Sequence, residues 1–163
     1  MTLLLHQLYF NHPKLRGHPT DYARCGALAL LRAGHISPVS ANIEDGGQKT
    51  VTKIEWEGEA LSVLETVDSH RLTEDGAEAV ALAYVHRKAA WVVKRRLQRG
   101  ERADWLLGNG TGWMAIEVSG TITASPQSRL AEKKQQLSHC SLPAERLAVV
   151  VAFHCPTILA GTP

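Results

Sequence analysis

The chain has 163 residues, of which 44% are hydrophobic and 21% are charged, and its formal net charge at pH 7 is +2. This length fits one domain, or one domain with an N-terminal elaboration, and the composition is ordinary for a globular protein. The net charge is too small to establish a polyanionic partner by itself. No apolar run reaches about 18 residues, so no membrane-spanning segment is predicted.

The three cysteines are widely spaced and form no C-x-x-C pair, so they indicate neither a zinc knuckle nor a disulfide framework. The apolar run at residues 3–5 is too short for a signal peptide and has no basic residues before it. We therefore expect the protein to reside in a reducing cytoplasm.

The N-terminal half gives a mixed α/β pattern. Residues 1–21 have no clear period and are interpreted as an irregular arm or as a strand followed by a loop. A short buried helix is predicted over Tyr22–Ala33. The segment Ile36–Gln48 is rich in turn residues, and Glu44–Gly47 predicts a hairpin or loop tip within it. Partial alternation over Val51–Leu64 predicts one or two half-buried strands.

A long helix is predicted over Glu74–Arg99, because apolar residues recur there at helical spacing and Thr73 is a suitable N-cap. Its carboxyl end would carry a basic cluster, defined as Lys94, Arg95, Arg96 and Arg99. Two interpretations of this cluster remain open. It is either a solvated helix end, where positive charge is favourable, or a patch that contacts nucleic-acid phosphates.

The C-terminal part alternates strands and a helix. Strands are predicted over residues 104–107 and 113–118, with a turn at residues 108–110 between them. A helix follows from residue 126 to 138, with Ser125 as its cap. The uninterrupted apolar run Leu147–Phe153 predicts a strand that is buried on both faces.

Two carboxylates, Asp104 and Glu117, fall on the strands of this predicted hairpin and would lie at the same end of it. Alternation along a strand places Glu117 on one face with Ala115 and Ser119. Converging carboxylates can hold a hard divalent cation such as Mg²⁺. The alternatives are that this face is the wet side of the hairpin and that Asp104 caps a turn.

The sequence Asp104 to Ser119 resembles the signature of the PD-(D/E)XK nuclease superfamily, which is Asp, a variable gap and then Glu/Asp-x-Lys. Ser119 stands where that signature has lysine. The resemblance implies a restriction-endonuclease-like fold: a mixed α/β sheet flanked by helices, with an αβββαβ core. Residues 71–163 would form this core and residues 1–70 an N-terminal α/β elaboration. One core strand is not evident, and the N-terminal half is its expected source.

The resemblance also implies a set of site residues. Asp104 and Glu117 would bind Mg²⁺ or Mn²⁺, and either Lys133 or Lys134 on the following helix would replace the missing lysine. Glu78 is a further candidate metal ligand, with Glu74 and Asp75 as competitors for that role. Gln135 and the basic cluster would lie near nucleic acid.

Two functions of different classes follow. The first is a Mg²⁺-dependent endonuclease or phosphodiesterase, a hydrolase acting on DNA or on RNA. The second is a catalytically inactive relative that retains the fold as a nucleic-acid-binding or protein-binding subunit. Both imply work within a larger assembly with nucleic acid and protein partners, and neither specifies an oligomeric state.

Overall fold

Eight strands of the described residues form one mixed sheet in the order β1-β3-β2-β8-β7-β6-β5-β4. This computed structural model describes residues 1–58, 61–122 and 125–163. The strands are β1 (Thr2–Leu4), β2 (Val39–Asp45), β3 (Gln48–Glu55), β4 (Val92–Arg96), β5 (Trp105–Gly108), β6 (Trp113–Thr121), β7 (Glu145–Ala152) and β8 (Thr157–Gly161). The helices are α1 (Leu8–Asn11), α2 (Tyr22–Arg32), α3 (Ser69–Ala89) and α4 (Pro126–Ser138), accompanied by short 3-10 turns.

Helices cover both faces of the sheet. On one face, α2 packs on α3, and α3 packs on β6 and β7 over the larger hydrophobic core. On the other face, α4 packs on β6, β7 and β8 over a smaller cluster that includes Leu137 and Ala148. The protein is therefore a mixed α/β protein with a mixed sheet flanked by helices.

The predicted helix over Glu74–Arg99 is wrong at both ends. The helix α3 begins at Ser69, where the Asp68 side chain accepts a hydrogen bond from the backbone N–H of Arg71, and it ends at Ala89. Thr73 is not its N-cap but lies within its second turn. Beyond the helix, β4 pairs in antiparallel register with β5. The apolar residues that open β4 fit a helical stripe and a strand equally well, and pairing with β5 decides between them.

This correction adds one strand that the sequence did not indicate. It is β4, at the edge of the sheet. From α3 onward the order of elements is helix, three strands, helix and strand.

The other C-terminal predictions are confirmed within a few residues. The predicted strands 104–107, 113–118 and 147–153 correspond to β5, β6 and β7, and they lie in one sheet. The helix 126–138 corresponds to α4. In β7, Val149 faces the larger core while Ala148 faces the α4 side, so this strand is buried on both faces as predicted.

The N-terminal half contains more regular structure than predicted. The segment interpreted as turn-rich contains β2, which forms a hairpin with β3 across Gly46 and Gly47. The helix predicted over Tyr22–Ala33 is α2. Part of the strand region predicted over Val51–Leu64 is β3, but residues 61–66 form a 3-10 turn and residues 59–60 lie outside the described residues.

The N-terminal strands belong to the same sheet as the C-terminal ones, because β8 pairs with β7 on one side and with β2 on the other. Among the described helices, none combines the length and apolar character needed to cross a membrane.

Candidate functional site

Asp104, directly before β5, lies near Glu117 in the middle of β6. Trp105 pairs with Ile116, and the backbone N–H of Asp104 donates to the carbonyl of Ile116 over 2.9 Å. Asp104 therefore lies just beyond the paired residues of β5, where its charge acts on Glu117. One Asp104 oxygen, Oδ2, also accepts the backbone N–H of Val118 at 2.8 Å, which fixes the carboxylate against β6.

Glu117 is buried on the α4 side of the sheet, with only 3% of its surface exposed. Its neighbour Ala115 lies in the cluster under α4, whereas Ile116 and Val118 join the opposite core. This division confirms the predicted alternation of faces. A carboxylate in such a position is costly unless it is paired or neutralised.

Lys133 of α4 supplies the partner of Glu117. Its ammonium nitrogen Nζ donates to Glu117 Oε1 over 2.7 Å, and both side chains are largely shielded from water. Burial, followed by the negative charge of Asp104, raises the pKa of Glu117 to about 7, although the Lys133 ammonium acts in the opposite direction.

Lys134 points elsewhere. Successive residues on a helix differ by about 100° in direction. The side chain of Lys134 passes over Gly161 of β8. Its Cδ lies 3.6 Å from where a Cβ would be if Gly161 were replaced by a larger residue. Gln135 is exposed on the same helix, and its backbone carbonyl accepts a hydrogen bond from the hydroxyl of Ser138. Of the two lysines left open by the sequence, Lys133 is the one that contacts the carboxylate pair.

Glu78 forms a second charged group on the α3 side of the sheet. Its Oε2 accepts hydrogen bonds from Arg96 at 2.5 Å and from the indole N–H of Trp105 at 2.7 Å. Arg96 also reaches Asp104 Oδ1 at 3.3 Å and stacks over the Trp105 ring. Burial raises the pKa of Glu78 to about 7, against the lowering effect of Arg96.

Sequence reasoning missed this role of Arg96, because it grouped the residue with the basic cluster at a helix end. The four residues of the cluster instead occupy β4 and the 3-10 turn after it. Arg95 makes a two-point ion pair with Glu101, while Lys94 and Arg99 are exposed. The register of β4 against β5 shifts between Val93 and Arg95, so Val93 and Arg96 share the α3 side of the sheet although simple alternation would separate them.

Ser119 and Glu74 complete the surroundings of the site. Ser119 has its hydroxyl 3.4 Å from Glu74 Oε1. Glu74 Oε2 accepts the backbone N–H of Gly120 at 3.2 Å. Glu74 therefore ties the amino-terminal part of α3 to the end of β6. The neighbouring Asp75 has a pKa raised chiefly by burial.

The donor set fits a hard divalent cation held jointly with a substrate. Mg²⁺ is commonly bound through one or two carboxylates together with phosphate oxygens. Asp104 and Glu117 offer such a pair, and a carboxylate has about four lone-pair positions, so the existing hydrogen bonds leave acceptor capacity. Within the described ranges, no three His, Cys, Asp or Glu side chains are close enough to surround an ion.

Comparisons of the chain with family models, with curated proteins and with solved structures found no match. The geometry of the site is therefore the basis for its proposed function.

Proposed function

We propose that the protein is a metal-dependent nuclease that cleaves phosphodiester bonds of DNA, with RNA as a second candidate substrate, within a larger assembly. The observation that carries the proposal is the contact between Lys133 and Glu117 beside Asp104. Two carboxylates and one ammonium group are the minimal set that the nuclease signature supplies. Here the ammonium comes from α4 and not from position 119.

The order of elements supports the same proposal. The segment α3-β4-β5-β6-α4-β7 has the αβββαβ succession of the restriction-endonuclease-like core. The carboxylates lie on its second and third strands, and Lys133 lies on its second helix.

Each residue has a definite chemical task under this proposal. Asp104 and Glu117 would hold Mg²⁺ or Mn²⁺, which when bound polarises the scissile phosphate and lowers the pKa of water. The Lys133 ammonium would stabilise negative charge that develops on the phosphate, because it is already fixed by its contact with Glu117. Glu78 remains a predicted further ligand, although its Oε2 already accepts bonds from Arg96 and Trp105.

The proposal is tested by removing the two carboxylates separately. Asp104→Ala and Glu117→Ala should each lower Mg²⁺- or Mn²⁺-dependent cleavage of DNA and RNA substrates by roughly hundredfold or more, because each change removes an oxygen ligand. Glu132→Ala, on the exposed side of α4, is the matched control and should cleave normally.

Glu117→Gln keeps the size of the side chain and guards against loss of the fold, which circular dichroism would report. Wild-type cleavage rates in a purified Asp104 or Glu117 variant would remove that residue from the site. A wild-type protein that cleaves no substrate with any divalent cation would refute the nuclease proposal as a whole.

The second candidate is a catalytically inactive subunit that binds nucleic acid or protein. The observation that favours it is the Arg96 guanidinium, which bridges Glu78 and Asp104 with a fixed internal positive charge. In that case Arg96 and Lys133 would neutralise the buried carboxylates permanently. Nucleic-acid or protein binding would then persist without any divalent-dependent cleavage.

A further inference from the structure

The sheet face that carries Glu117 is only partly covered. The helix α4 packs mainly on β6, β7 and β8, and Leu106 of β5 lies at the margin of the cluster beneath it. Strand pairing places Arg95, Leu106, Ala115 and Arg146 side by side across it. Arg146 reaches along the face to the carbonyl of Ser138 at the end of α4, while Leu106 is only half-buried.

An exposed indole stands at one end of this open face. Trp113 has 52% of its surface exposed, whereas Trp56, Trp91 and Trp105 are all buried. Because side chains alternate along a strand, Trp113 lies on the same face as Glu117, four residues and about 13 Å away along β6. The exposed ring thus lies on the face that carries Glu117, with the buried Ala115 between them.

Lys94 lies beside this indole, over a glycine. A Cβ built on Gly108 would lie 2.8 Å from Lys94 Cε and 3.5 Å from Trp113 Cε3. Both side chains therefore lie over the same backbone position, from which a larger side chain would displace them. The Lys94 side chain is exposed.

The charge of the face is predominantly positive. Lys94, Arg95 and Arg146 contribute three cationic groups, and Glu101 balances Arg95 through their two-point ion pair. A single exposed apolar residue is common on protein surfaces and needs no function. An exposed indole with an exposed lysine beside it, on the sheet face that also carries Arg146, is a more specific arrangement.

We propose that the open sheet face carrying Trp113, Lys94 and Arg146 binds single-stranded nucleic acid and leads it toward Asp104 and Glu117. An unpaired base would stack on the Trp113 indole, and the cationic groups would contact the adjacent phosphates. A paired duplex does not offer the face of a base for such stacking. The direction toward the carboxylates rests on the proposed nuclease function, whereas the binding surface does not.

The experiment measures binding in EDTA, so that no cleavage is needed. A labelled 12-nucleotide oligo(dT) should bind the full-length protein, quench tryptophan fluorescence, and compete better than a duplex of equal length. Trp113→Ala should abolish the quenching and weaken binding about 5- to 100-fold. Lys94→Gln should weaken binding and reduce its salt dependence by about one phosphate contact.

Two control variants keep the result interpretable. Trp113→Phe retains an aromatic face and should keep most of the affinity, which excludes loss of the fold as the cause. Phe10→Ala removes an aromatic side chain that is 75% exposed elsewhere, and it should bind like the wild type. Equal affinity of Trp113→Ala and wild type, or equal affinity for duplex and single strand, would overturn this inference.

The two proposals can fail separately. Oligonucleotide binding that depends on Trp113, without divalent-dependent cleavage, would support the binding surface and reject the nuclease function. Cleavage that is lost in Asp104→Ala but unaffected in Trp113→Ala would support the nuclease function and reject the binding surface.

Discussion

The contact between Lys133 and Glu117 joins two residues that are each expensive to bury alone. Taking one charge away from a buried pair leaves the other uncompensated in a poorly hydrated position. In Lys133→Met, the Glu117 carboxyl would meet this cost by remaining protonated at neutral pH. The variant therefore removes an ammonium and also weakens Glu117 as an oxygen ligand.

We accordingly expect Lys133→Met to lose most divalent-dependent cleavage, by roughly hundredfold or more, and Lys134→Met to retain it. Both changes keep much of the side-chain stem, and the two lysines are adjacent on one helix, so each is the natural control for the other. Single-turnover cleavage rates with saturating Mg²⁺ provide the measurement. Normal rates in both variants would eliminate the idea that the lysine has moved to α4.

A second prediction concerns His12, which is fully buried under β4. Its Nδ1 accepts the backbone N–H of Val93 at 3.2 Å, so Nε2 carries the proton and donates to the carbonyl of Leu82 at 3.1 Å. Burial lowers the pKa of His12 to about 4 from its ordinary 6.5. The unfolded chain therefore binds the proton more readily between pH 6.5 and 4.

This imidazole should contribute stability above pH 6.5 that is lost as the pH falls toward 4. Between pH 7 and pH 5 the loss attributable to His12 is about 2 kcal/mol of unfolding free energy. His12→Gln has no such titration, so urea unfolding should show a wild-type advantage that shrinks on acidification. A difference between the two proteins that is independent of pH would contradict the buried, neutral state of His12.

At the scale of elements, sequence patterns that are compatible with only one structure gave correct predictions. Patterns that are compatible with both a helix and a strand did not. The run at residues 147–153 is too short for an isolated helix and is apolar throughout, which left little besides a buried strand. Residues 91–99 combine apolar residues with a basic tail, a pattern that also describes a helix end. Only the pairing of β4 with β5, a long-range event, resolves it.

The candidate site was likewise predictable only in part. Alternation along β6 was enough to place Glu117 on one face with Ala115, and the hairpin pattern was enough to bring it near Asp104. The choice between Lys133 and Lys134 depended on the rotation of α4 on the sheet, which residue spacing does not fix. The ion pair between Arg96 and Glu78 depends on how α3 packs beside the sheet, so no local sequence pattern predicts it.

The contact between α3 and β6 gives a prediction at this scale. A Cβ on Gly120 would lie 2.3 Å from the backbone oxygen of Thr73, so Gly120→Ala requires the helix to move away from the strand. We expect a loss of about 1–3 kcal/mol or more, and a melting temperature lower by several degrees. The matched control is Gly58→Ala, since no atom lies within 4 Å of a Cβ there. Equal melting temperatures of the two variants would mean that the close approach is absent in solution.

At the scale of the whole molecule, β8 joins the N-terminal strands of the sheet to the C-terminal strands. The sequence analysis had assigned these strands to an N-terminal elaboration and a core. It lies between β7 and β2, and it pairs in parallel with β2 although more than 100 residues of chain separate them. Its five residues are too few to give a pattern that could be recognised beforehand. The strand β6, which carries Glu117, therefore belongs to a sheet with contributions from both ends of the chain.

This continuity determines what metal binding should do to the melting temperature. A cation that binds only the native state stabilises the whole cooperative unit, by about 2.7 kcal/mol at a concentration of 100 times Kd. For a chain of this size, that corresponds to a rise of roughly 5–10 °C. We expect Mg²⁺ or Mn²⁺ to raise the melting temperature of the wild type in this way. The double variant Asp104→Asn, Glu117→Gln preserves side-chain shape and should show no metal-dependent rise. An equal rise in both proteins would place the ion elsewhere. A wild type that is indifferent to both metals would favour the inactive subunit, in which Arg96 and Lys133 serve as the permanent counter-charges of the buried carboxylates.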